Sequence, residues 1–217
     1  MLDEFGVAYH ESTHAAVASH LGVAIREVSL TGTLQHGGVL CWDGSAVIDT
    51  STLSPDVAAK IAVAGPIADL KYALVRSMCS NFEVTEDTAF TETRLDCSCS
   101  SGLAETLPAI RDLRDSNRMH VSATGRCGSH TFTHRVFLGD CYGDALEALS
   151  VLENDIGRLT AIITEVLSMV NTMEVSVFAI GLARALAAAS PVTSVRKAVQ
   201  DNHIRSLLDV SQIEKPS

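Results

Sequence analysis

One stretch near the start of the chain, Ala8-Tyr9-His10-Glu11-Ser12-Thr13-His14-Ala15-Ala16, limits what the rest can fold into more than any other. The run from Asp3 to Leu21 carries Val7, Ala8, Ala15, Ala16, Val17, Ala18 and Leu21 at helical intervals, with Asp3 as a capping residue before it and Gly22 as a stop. An apolar helix is therefore expected here. On it His10 and His14, four residues apart, lie on one face about a turn from each other. The fold must either satisfy two histidines inside its core or give them a shared partner.

A single cation is the partner that suits them. Neutral imidazole is a borderline ligand matched to zinc, and a carboxylate kept off the metal, here Glu11, can take a proton from a water beside it. Zinc lowers the pKa of a bound water to about 7, which supplies hydroxide at neutral pH. The pattern His10-Glu11-x-x-His14 is that of a zinc peptidase helix. A hydrolytic zinc needs a third protein ligand as well, with one position left for water. Asp140 and Asp144, at the entrance of a downstream helix, are the candidates, although capping is the ordinary task of an Asp in that position.

With 217 residues, the chain can bury one sizeable core, and it is read as a single domain over 1–217 with a polar insertion at about 79–135. Hydrophobic residues make up 47% but aromatic ones only 5%, so the core is built from Ala, Val, Leu and Ile, which favours closely packed helices. A formal net charge of -10 argues against nucleic acid and against an anionic membrane surface as partners. Glu165, Glu174 and Arg184 interrupt the most apolar region, from Leu159 to Ala189, so no membrane span is expected. Asp3 and Glu4 sit where an export signal would carry positive charge, which makes a cytoplasmic location the expectation. The six cysteines, Cys41, Cys79, Cys97, Cys99, Cys127 and Cys141, are then read as reduced thiols.

Along the chain, Ile25 to Leu30 and Gly38 to Trp42 read as two short strands beside the histidine helix, and an exposed strand there could pair with an extended peptide. Ser54-Pro55 opens a second helix, which Gly65-Pro66 should bend or interrupt before it continues to about Arg76. From Cys79 to about Arg135 the composition turns polar, with only Leu103 to Leu113 helical in pattern. Cys97, Cys99, Cys127, His130 and His134 in this stretch offer either a second, structural zinc site or solvated thiols in a loop. Leu149, Leu152, Ile156, Leu159, Ile163, Val166 and Val170 predict one long helix, ended by Asn171-Thr172. Val175 to Ala189 predicts another, and Ser190-Pro191 should cap a last one reaching roughly Gln200. The expected fold is mainly α, a zincin-like helical bundle with a small two- or three-stranded β ribbon.

At four places the sequence resembles the peptidase domain of the FtsH-type proteases, zinc peptidases normally fused behind an ATPase and a membrane anchor. Tyr9-His10-Glu11-Ser12-Thr13-His14-Ala15 is similar to that family's A-Y-H-E-A-G-H-A block, and Val28-Ser29-Leu30 with Gly38-Val39 to its following strand pair. Ile61 to Leu70 is similar to its G-G-R-A-A-E-E helix. Gly143-Asp144-Ala145-Leu146-Glu147-Ala148 is similar to its N-D-L-x-x-A segment, whose Asp is the third zinc ligand. The resemblance thus implies His10, His14 and Asp144 as metal ligands, Asp140 being the reserve, and Glu11 as the catalytic base. It also suggests a homo-oligomer, since that family assembles into rings.

Two departures stand out. Thr13 replaces the family's glycine, and 130 residues separate His14 from Asp144, several dozen more than in the family. No G-x-x-x-x-G-K-[ST] motif occurs, so a chain complete as it stands is expected to act on short or unfolded polypeptides without ATP. The leading expectation is a zinc-dependent endopeptidase, with His130, His134 and Tyr142 as weak candidates to stabilise the oxyanion. The alternative from another class is a non-catalytic binding or regulatory module of the same fold. A third reading, a small peptidase of the type that cuts phage repressors, expects a third carboxylate nearer the motif, such as Asp69.

Overall fold

The first helix, α1 (Glu4–His20), forms where the sequence places it. Asp3 is its N-cap, the carboxylate accepting a hydrogen bond from the Gly6 amide at 2.8 Å, and Gly22 ends it at φ +75°, a conformation open to glycine without steric cost. The computed structural model describes residues 3–34, 40–50, 52–81, 109–111, 120–127, 130–137, 142–189, 196–201, 203–204 and 206–207. Within them it is mainly helical with small antiparallel sheets. The chain divides into two compact units, one of Met1–Thr52 with Met173–Ser217 and the other of Leu53–Thr172.

In the first unit α1 packs against α5 (Met173–Ala188) and against the hairpin of β1 (Ile25–Leu34) and β2 (Leu40–Ile48). Ala15, Ala16 and Ala18 on α1 are buried, as are Phe178, Leu182 and Leu186 on α5. Small side chains on one partner let large ones on the other sit close, each fully buried Leu or Phe stabilising by about 1.5–3 kcal/mol. β6 (Arg196–Gln200) pairs antiparallel with β1, giving the strand order β2-β1-β6. Lys197 fastens that edge: it pairs with Glu4, donates to the Ala187 carbonyl at 2.7 Å and lies 5.6 Å from the centre of the Trp42 ring.

In the second unit α2 (Pro55–Asn81) packs against α3 (Tyr142–Val151) and α4 (Ile156–Val170). Ile61 to Tyr72 of α2 is buried throughout, and Leu149, Leu152, Leu159, Ile163 and Val166 of the same unit are buried too. Lys60 bridges to Glu165 at 2.5 Å and Arg158 to Asp56 at 2.7 Å. Buried Lys71 donates to the Val170 carbonyl at 3.4 Å, placing a cation on the carbonyl end of α4. A second sheet, β3 (Ala109–Arg111), β4 (His120–Cys127) and β5 (His130–Phe137), is antiparallel in that order.

Four local expectations are corrected. Of the bend or interruption expected at Gly65-Pro66, the interruption is absent, Pro66 lying inside a continuous α2; loss of one amide donor costs about 3 kcal/mol, which burial on all sides of this segment offsets. The long helix expected from Leu149 to Val170 is two, because Glu153 and Asn154 take positive φ values of 54° and 63° and Asp155 caps α4 afresh. The stretch that was to end as a helix near Gln200 is strand β6, its Arg-Lys-Ala-Val-Gln run being drawn into pairing with β1. Ala109–Arg111 is strand where Leu103 to Leu113 was expected to be helical. The polar region also holds the β4–β5 hairpin, whose alternation of Thr131, Phe132, Thr133, His134, Arg135 and Val136 suits a pleated strand. Among the described residues no single helix is long and apolar enough to cross a membrane.

Candidate metal centre

His10 and His14 occupy successive turns of α1 and are buried, at 8% and 7% exposure. Their Nε2 atoms lie 3.1 Å apart, with the ring centroids 4.8 Å apart and the planes at 68°. A neutral imidazole carries one N–H, so this contact is a hydrogen bond in one tautomer. In the other, both N–H groups sit on Nδ1 and two Nε2 lone pairs converge on one point. Two ligands held at about 2.0–2.1 Å by a tetrahedral zinc stand about 3.4 Å apart, so the pair needs to open by only about 0.3 Å to fit that ion.

Neighbouring positions of α1 are buried as well. Tyr9 is fully buried and stacks nearly parallel on Phe5 at 6.4 Å, and desolvation holds its phenol above the ordinary range, hence neutral. Thr13, where the resembling family has glycine, is buried too, its hydroxyl donating to the Tyr9 carbonyl at 2.7 Å. A back-bond of that kind satisfies a hydroxyl inside a helix, so the extra side chain is accommodated without an orphaned donor.

Glu11, half-buried, faces β2. Gly44 of β2 approaches it so closely that a Cβ there would fall 2.5 Å from Glu11 Oε1 and 2.7 Å from Cδ. Gly44 lies beyond the second strand expected from the sequence, Gly38 to Trp42. The available signal was an isolated glycine inside an alternating run, which often marks a close backbone approach.

The other expected residues are spread over several elements. Asp144 stands in the first turn of α3, half-buried, in the second unit. Asp69 is buried at mid-α2. His130 and His134 belong to β5, Cys127 ends β4 and Tyr142 opens α3. Cys97, Cys99 and Asp140 lie outside the described residues. Cys41 stands in β2, half-buried.

No family model matches the sequence, and no curated protein matches it significantly.

Proposed function

We propose that this chain is a zinc-dependent endopeptidase in which His10, His14 and Asp144 hold the metal and Glu11 is the catalytic base. The observation that carries the reading is the buried pair of Nε2 atoms 3.1 Å apart, with a carboxylate residue immediately following the first of them on the same helix. The likeness to the FtsH-type peptidases rests on the sequence blocks quoted above, and the choice of Asp144 leans on that likeness. Two imidazoles and one carboxylate make a donor set suited to a hydrolytic zinc.

Bound there, zinc would polarise the scissile carbonyl and make water acidic enough to attack it. Glu11 accepts a proton from the attacking water as the C–O bond forms, then delivers it to the amine as the C–N bond breaks. His10 and His14 would hold the metal through their Nε2 lone pairs. The substrates are polypeptides in short or unfolded form, hydrolysed without ATP by this chain.

Zinc stoichiometry tests the centre. Purified protein dialysed against zinc should hold one ion per chain at His10 and His14, and His14→Ala should hold none. Two ions falling to one in His14→Ala would add a second site in the Cys- and His-bearing region. Metal content unchanged by His14→Ala contradicts the assignment.

A further inference from the structure

We propose that Gly44 is a positioning residue that fixes the side chain of Glu11, an inference that rests on the peptidase reading for its functional consequence. β2 alternates, Trp42, Gly44, Ala46 and Ile48 being less exposed than Asp43, Ser45 and Val47 between them. The strand packs on α1, and Gly44 pairs in register with buried Leu30. A side chain at position 44 would therefore point where Glu11 already is.

The identity of the contacted atoms sets the consequence. The three atoms nearest a Cβ on Gly44 all belong to Glu11, and the nearest is Cγ, with Oε1 at 2.5 Å and Cδ at 2.7 Å. Real Cβ atoms essentially never come within 3.0 Å of such neighbours. Bending the carboxylate end aside does not relieve a clash at Cγ; only rotation about χ1 does. On a helix χ1 has two accessible wells, since the third drives the side chain into the preceding turn. Excluding one leaves one, and that carries the carboxylate elsewhere. Gly44 thus lets the strand lie against the stem of Glu11 and leaves open the one rotamer the base occupies, without touching His10 or His14 as a nearest neighbour.

The test uses the full chain loaded with zinc. Gly44→Ala should keep its zinc and its KM within about two-fold while kcat falls about 10- to 100-fold, the scale of an ångström-sized misplacement of a catalytic group. A general loss of structure would instead lower zinc content and kcat together. A thermal-stability cycle supplies a readout independent of activity. Gly44→Ala should lower Tm by about 2–4 °C or more, and most of that loss should disappear when Glu11→Ala is added, because the obstructing stem is gone. Should Gly44→Ala fail to fold, recovery of folding in the double variant supports the contact, and its continued failure overturns it. Additive Tm losses, or an unchanged kcat in Gly44→Ala, overturn the proposal. A wild-type protein that hydrolyses no peptide sinks the peptidase reading alone, and the Tm cycle still decides whether Gly44 fixes Glu11.

Discussion

Two buried ring nitrogens 3.1 Å apart satisfy each other through a hydrogen bond in one tautomer and invite a shared partner in the other, because each buried polar atom must be satisfied. The proposed zinc would serve both from one point, and its proposed third ligand is the residue whose role is most open to direct test. Asp144→Asn keeps the shape of the side chain and removes its charge. It should weaken zinc binding by about 10-fold or more, read by competition with a chromophoric chelator; an unchanged affinity would transfer the third position to another carboxylate, Asp69 or Asp140. Position 13 shows how a departure from a motif is absorbed. Its hydroxyl bonds to Tyr9, so Thr13→Gly should cost about 1–2 kcal/mol through lost packing and added backbone freedom, measured by urea denaturation.

Helix α1 depends on its first turn and on its neighbours. Asp3 satisfies one terminal amide, and Asp3→Ala should destabilise the protein by about 1 kcal/mol. Lys197 joins β6 to the start of α1, the end of α5 and Trp42, so Lys197→Met should cost about 1–2 kcal/mol by chemical denaturation, more than Lys60→Met, whose partner Glu165 is half exposed. Elements such as α1 could be read directly from the sequence because their causes are local: a cap, a 3.6-residue period and a glycine stop. The β1–β2 hairpin was readable for a similar reason, through its alternation and glycines. Strand β6 was not, since Arg196 to Gln200 becomes strand only by pairing with β1, some 170 residues earlier. The break between α3 and α4 was hidden as well, because Leu152 and Ile156 continue the apolar period across the left-handed pair Glu153-Asn154.

At the scale of the whole molecule, composition pointed to the class that is found, mainly α with small sheets, because a core of Ala, Val, Leu and Ile with few aromatics favours closely packed helices. The site divides along the same line. His10, Glu11 and His14 were readable because helical spacing is a local property, whereas the approach of Gly44 to Glu11 joins strand to helix and leaves little trace in either alone. The proposed metal binding would couple that candidate site to the stability of the chain. At zinc 100-fold above its Kd the native state should gain about 2.7 kcal/mol, seen as a rise in Tm that a chelator reverses and His14→Ala abolishes. The proposed function stands or falls on Glu11 being the base of a peptidase and not a structural carboxylate. The most direct measurement is the rate of peptide-bond hydrolysis by zinc-loaded wild-type and Glu11→Gln proteins on an unfolded casein-like substrate. A fall of about 10²- to 10⁴-fold with zinc still bound is predicted; equal rates in the two proteins would contradict it.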